Sequence, residues 1–153
     1  RLRTDPRVEV HERTNIRHVA PGDLGPLAQA IVADLSFISL RTVVDPLIRL
    51  GQPGAPLVWL VKPQFEADRA EMTGTGGVLT DPNVWRRVLT DVGGTLVGRG
   101  ATIMGLMTST LRGADGNVEF LLHATTPGGE LAAHCARPLA QLIADAVEQA
   151  QSP

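Results

Sequence analysis

Lysine is nearly missing from this chain: Lys62 is the only one, against thirteen arginines in 153 residues. Arginine serves wherever a plain surface cation suffices, so the single lysine is either one copy left by chance in a lysine-poor chain or the mark of a place where a guanidinium would not do. An ammonium is a compact point charge that can give up its proton, whereas a guanidinium stays charged and presents a broad fork. Cysteine is equally scarce. Cys135 stands alone, which excludes an internal disulfide and a cysteine-based metal site and leaves it as a small buried or half-buried apolar residue. The four histidines, His11, His18, His123 and His134, show no His-x-x-x-His spacing, and no metal site is assigned. Apolar runs are short, well under the roughly 18 residues of a membrane span. The opening Arg1-Leu2-Arg3-Thr4-Asp5-Pro6 has no signal-peptide core, so the expected location is the cytoplasm. A net charge of -2 argues against a strongly basic nucleic-acid binder, although Arg1, Arg3 and Arg7, and then Arg13 and Arg17, offer local cations to phosphates.

What is present is ordinary globular material: 43% hydrophobic residues suit a single domain with a real core. The lack of an initiator methionine and the abrupt entry into Asp5-Pro6-Arg7-Val8 suggest a piece of something longer. The apolar period then switches between strand-like and helix-like segments. Val8 to Glu12 alternates as a short strand. Ala30 to Leu35 is a compact apolar strand of the doubly buried kind. Ser36 or Ser39 caps a helix over Leu40 to Leu50. Leu57 to Val61 is the next strand, and Pro63 to Leu79 reads as a loop whose Gly74-Thr75-Gly76-Gly77 suits a mobile lid. Thr80-Asp81-Pro82 starts a helix that runs to about Val92 and is stopped by Gly93-Gly94, with Leu96 and Val97 offering a less regular extension. Thr102 to Ser109 and Val118 to Ala124 form two strands joined by a turn-rich loop, short enough for an antiparallel pair. A last helix covers Pro138 to Gln149. The alternation predicts a nucleotide-type α/β sheet with one reversed edge element.

In such a sheet, ligands sit outside the carboxyl ends of the parallel strands. Asp34 ends one strand and Lys62 the next, so both belong to one rim. Glu119 opens the returning strand, and a reversed strand begins where its neighbours end. Each residue also has a plain reading: Asp34 as a helix cap, Lys62 as a solvent-facing strand end and Glu119 as an exposed strand charge. Three ionisable groups from distant segments nevertheless converge on one edge.

The blocks Glu12-Arg13-Thr14-Asn15-Ile16-Arg17, Val32 to Leu40, Val61-Lys62-Pro63-Gln64-Phe65-Glu66, Gly76-Gly77-Val78 and Gly116-Asn117-Val118-Glu119-Phe120 resemble the TlyA family of haemolysin-like ribosomal RNA 2'-O-methyltransferases. The likeness extends from about Asp5 to Leu122 and fades after Ala124. It implies a Rossmann-like, S-adenosylmethionine-dependent methyltransferase sheet with an antiparallel carboxyl-terminal hairpin, acting on a cytidine ribose of ribosomal RNA or ribosomal subunits. Of the wider group's Lys-Asp-Lys-Glu pattern, Asp34 matches the aspartate, Lys62 the second lysine and Glu119 the glutamate. The first lysine has no counterpart in the chain. The resemblance makes residues 1–153 a partial methyltransferase domain. The first sheet strands, the glycine-rich cofactor loop and an S4-type RNA-binding domain are expected upstream, and a homo-oligomer or swapped segment is a candidate cover for the gap.

The resemblance also implies roles. Thr14, Asn15 and Ile16 border the adenine of the cofactor, with a plain turn cap as the other reading of Asn15. Asp34, Leu35 and Ser36 line the cofactor side, and Lys62 and Phe65 meet RNA, Phe65 by stacking on a base unless it packs in the core. A ribose hydroxyl is a weak nucleophile that needs orientation and a proton acceptor. Lys62 suits the acceptor, with Asp34 and Glu119 fixing its direction. Two other classes compete: a noncatalytic structural fragment, and a membrane-lytic protein, which the acidic Asp145 and Glu148 of the last helix disfavour.

Overall fold

The computed structural model describes residues 2–113, 115–129 and 137–151. Its centre is a four-stranded mixed sheet of β1 (Ile31–Ala33), β2 (Pro56–Val61), β3 (Thr102–Thr108) and β4 (Phe120–Thr125), in the order β1-β2-β4-β3. β1 runs parallel to β2 with Ala33 opposite Trp59. β4 is antiparallel to both neighbours, Val61 facing Phe120 on one side and Thr108 facing Phe120 on the other. The reversed strand is therefore interior, not at the edge as the sequence predicts. Phe120, Leu122 and Ala124 are fully buried, and a strand with so apolar an inner face gains most between two neighbours.

Among the described residues, five α-helices complete the fold: α1 (Val44–Arg49), α2 (Pro63–Glu66), α3 (Arg69–Met72), α4 (Pro82–Gly98) and α5 (Leu139–Gln151). α4 and α5 pack on each other and against the sheet, burying Trp85, Val88, Leu89, Val92 and Leu96 from one and Leu142, Ile143, Ala146 and Val147 from the other. Trp85 meets Phe120 edge-on at 6.0 Å and donates its indole N–H to the Leu79 carbonyl. This aromatic contact joins the start of α4 to the start of β4. The opposite sheet face is more open: Val32, which is 78% exposed, and the exposed His123 occupy one cross-strand row with Val58.

Several sequence expectations give way for identifiable reasons. Residues 8–12 form no strand; Val8 and Val10 are exposed, and among the described residues no neighbouring strand supplies a ladder. β1 is shorter than Ala30 to Leu35, and it is buried on one face only because its Val32 belongs to the open face of the sheet. The helix expected from Leu40 divides into a 3-10 turn, Leu40–Thr42, capped by Ser39, and then α1. Pro46 enforces the division, since its ring would collide with the residue 42 carbonyl in a continuous helix but is tolerated in the first turn. The Pro63 to Leu79 loop contains α2, begun by its proline, and α3, where the Asp68 N–H donates to Glu71 at 2.8 Å.

α4 begins as predicted, with Asp81 accepting from the Asn83 N–H and Pro82 in the first turn. It then continues through Gly93-Gly94 to Gly98. Gly93 stays helical because α5 lies against it: a Cβ there would stand 2.9 Å from a Leu139 methyl. The glycine marks a close helix approach, not a stop. Cys135 and His134 lie outside the described residues.

Candidate active site at the carboxyl rim of the sheet

Register explains why Asp34 and Lys62 meet. Extending the β1–β2 pairing by one residue sets Asp34 across from Leu60, two positions before Lys62 and hence on the same face. Lys62 Nζ lies 2.6 Å from Asp34 Oδ1 and donates to Ser36 Oγ at 3.2 Å. The lysine side chain is only 13% exposed against 65% for the aspartate. Its charge is held at the wall of the rim while its partner faces solvent.

Extending the β2–β4 pairing one residue sets Glu119 opposite Lys62. The two side chains line one cavity of about 400 Å³ together with Ser36, Phe37, Phe65 and Asn117. Among the described residues no hydrogen bond or ion pair joins them: Lys62 is held by Asp34 and Ser36, and buried Glu119 accepts from Gln64 Nε2 at 3.3 Å. A carboxylate can only accept, so Gln64 must turn its NH2 toward Glu119. Its buried Oε1 is left without a partner among the described residues. Gly113 lies against the same Glu119 oxygen, and a Cβ there would come within 2.8 Å of Oε1.

Asn117 is a second residue that sequence reading passes over. Buried at the mouth of β4, it accepts from the Leu79 N–H and donates to the Gly77 carbonyl, both at 2.9 Å. The far end of the Gly74 to Gly77 segment is therefore anchored to the cavity wall. Met72 of α3 adds another wall, and Glu71 beside it binds Arg87 of α4. The Arg87 guanidinium, with help from the Asp68 N–H, holds the Glu71 carboxyl below the usual carboxylate range. Phe65 is half-buried and tilted against Phe37, ring centres 5.0 Å apart. Phe37 itself is 91% exposed on a backbone with φ of 61°.

The remaining residues singled out from sequence sit elsewhere or play smaller parts. Asn15 Oδ1 accepts from the Arg17 N–H at 3.1 Å, capping the 3-10 turn Ile16–His18, and Thr14 donates to the Glu12 carbonyl. Ile16 lines a separate apolar cavity of about 310 Å³ with Leu27, Ile31, Val32 and Leu47. Thr14, Asn15 and Ile16 do not line the Lys62 cavity. Leu35 is half-buried against the core.

Residues 1–126 match the FtsJ-like methyltransferase family. The chain is 43% identical over 125 residues to the 16S/23S rRNA (cytidine-2'-O)-methyltransferase TlyA of Mycobacterium tuberculosis, an alignment covering 82% of this chain and 46% of that protein. It is likewise 43% identical over 129 residues to YqxC of Bacillus subtilis, an rRNA methyltransferase by name, covering 84% and 46%. Among solved structures, a Lactococcus lactis protein bearing a hemolysin name superposes with a TM-score of 0.83 at 32% identity, over 94% of this chain and 68% of that one. The chain spans about half the length of the curated relatives it matches.

Proposed function

The chain belongs to the FtsJ-like methyltransferase family, and from that premise we propose that Asp34, Lys62 and Glu119 are its share of the active site of an S-adenosylmethionine-dependent 2'-O-methyltransferase of ribosomal RNA, acting on a cytidine ribose. The observation that carries the reading is the largely buried Lys62 side chain, its amine held by Asp34 and Ser36, lining a cavity that Glu119 also lines.

The geometry suits proton transfer from a hydroxyl. A tetrahedral amine nitrogen has three positions besides its carbon. Asp34 and Ser36 engage two N–H groups, and the third position carries either the last proton or the lone pair. With the lone pair there, Lys62 takes the ribose 2'-hydroxyl proton, breaking the O–H bond and leaving the electron pair on the oxygen, and its two fixed N–H groups set the direction of approach. Glu119, steadied by Gln64, borders the same space and offsets the resulting ammonium charge. Phe65 and Phe37 form the aromatic side of the cavity, where a base can stack.

The residues present suit the cofactor chemically. When bound, S-adenosylmethionine supplies a methyl group on a sulfonium, and the Asp34 carboxylate with Leu35 and Ser36 would hold that cationic end. Thr14, Asn15 and Ile16 would hold the adenine end, Asn15 through its amide nitrogen because its oxygen already serves the Arg17 N–H. The glycine-rich loop, the first sheet strands, the other lysine of the tetrad and an S4-type domain would come from outside residues 1–153.

Lys62→Arg tests the reading. In the protein carrying its upstream segment, methyl transfer to ribosomal RNA, measured with labelled cofactor, should fall by about 100-fold or more, while cofactor binding by calorimetry is retained. An Lys62→Arg enzyme of near-normal activity would remove Lys62 from the base role.

A further inference from the structure

Among the described residues, Glu66 is the one strongly buried carboxylate that the mechanism above does not use. It is only 3% exposed, and it ends α2, the short helix that Lys62 caps. Its Oε2 accepts from Ser39 Oγ at 2.6 Å and its Oε1 from the Leu40 N–H at 2.6 Å. Arg41 reaches back to it twice, with Nε 3.4 Å from Oε2 and Nη2 donating to its carbonyl at 3.2 Å.

These contacts continue a series. The segment leaving β1 meets the segment leaving β2 at three levels: Asp34 and Ser36 with Lys62, Phe37 with Phe65, and Ser39 and Leu40 with Glu66. The first level is partly open to water and the second is an aromatic contact beside an exposed ring. Only the third is both buried and charge-assisted, the kind of hydrogen bond that resists exchange with solvent. Four residues lie between Asp34 and Ser39, and among them Phe37 adopts a left-handed backbone that needs support from its surroundings.

We propose that Glu66 is a positioning residue of the active site, pinning the 34–39 segment so that Asp34 and Ser36 stay on the Lys62 amine. The proposal rests on the reading of Lys62 given above, but its test does not require methyl transfer. Glutamine keeps the shape of Glu66 and one acceptor oxygen for the Leu40 N–H, but its NH2 only donates, so it cannot accept from Ser39 Oγ, and the negative charge that strengthens both bonds is lost. The loss is therefore directed at the clamp.

Because Lys62 is the only lysine, lysine labelled with carbon-13 at Cε gives a single resonance from the site. Asp34→Asn sets the displacement that follows loss of the ion pair. Glu66→Gln should move the signal in the same direction by more than half as much, and Ser39→Ala by less. Val147→Ala, a core change in α5 that is fully buried and outside the site, should leave the signal in place. A folded Glu66→Gln chain with an unmoved lysine signal overturns the proposal, and if Glu66→Gln does not fold, an unmoved signal in folded Ser39→Ala does so. No displacement in Asp34→Asn also overturns it, since there is then no pair to position. The expected displacements in a protein whose Lys62→Arg variant still transfers methyl groups would uphold the clamp and remove the base role alone.

Discussion

Two adjacent glycines in α4 should respond to the same substitution with opposite signs. Alanine is favoured over glycine inside a helix by about 0.8–1.0 kcal/mol. Gly94 is exposed, and a Cβ there meets nothing within 4 Å, so Gly94→Ala should realise the whole gain, about 1 kcal/mol or ~2–4 °C in Tm for a domain of this size. Gly93 has the same backbone and the same propensity gain. Its Cβ, however, would stand 2.9 and 3.0 Å from the two Leu139 methyls and 3.5 Å from Leu139 Cγ. Overpacking costs about 1–3 kcal/mol; because the obstructing atoms are side-chain tips, a cost of about 2 kcal/mol is expected, leaving Gly93→Ala about 1 kcal/mol less stable than the parent. The two variants should then differ by about 2 kcal/mol in urea unfolding followed by Trp59 and Trp85 fluorescence at an unchanged m-value. Equal stabilisation by both would mean that Leu139 swings aside freely and that α5 does not depend on the missing Cβ. Destabilisation by Gly94→Ala would contradict a continuous helix through residue 98.

Other perturbations address the walls of the cavity. Glu71 has its folded-state pKa held below its ordinary value of 4.5 by Arg87, so its share of stability is complete above that value and is lost as pH falls through the lower folded value. Glu71→Gln should flatten the acid limb of stability against pH below about 4.5, and an unchanged limb in a calorimetric series would refute the linkage. Asn117→Ala strands the buried Leu79 N–H and should cost about 1–3 kcal/mol, with faster hydrogen exchange at Leu79; unaltered exchange would show that the loop is anchored elsewhere. Gly113→Ala pushes on the Glu119 carboxylate and should lower methyl transfer about 100-fold with little change in Tm, whereas full activity would place Glu119 outside the chemistry.

Local chemistry made some elements easy to read in the sequence. β2 is bounded by Pro56 and Pro63 and is apolar throughout; α4 announces itself by Asp81-Pro82; α5 repeats apolar residues at helical spacing. The failures share a cause, since each depends on a neighbour that sequence does not display. Gly93 reads as a stop until Leu139 is seen beside it. Residues 8–12 alternate like a strand but lie against no partner among the described residues. At the site, strand ends were enough to bring Asp34 to Lys62, because the register of parallel neighbours is short-range information. Glu66 was not legible: one glutamate after Phe65 looks like surface charge, and its burial is decided by Ser39 and Leu40, more than twenty residues earlier. Pro63 at the head of a four-residue helix was the available hint that this stretch turns back toward the core.

The interior position of β4 has a consequence for the order in which the molecule assembles. β2 receives one neighbour from upstream and the other only after residues 120–125 have been made, and β3, although earlier in the chain, has no described strand partner until then. During synthesis, β2 must therefore wait with one unpaired edge through the whole of α4, β3 and the loop that follows, and β3 must wait unpaired through that loop. Pairings this distant along the chain close slowly and leave aggregation-prone edges exposed while they do. The segment that delivers Glu119 to the rim is also the one that ends this exposure, so the last acidic wall of the cavity and the protection of the sheet arrive in a single event.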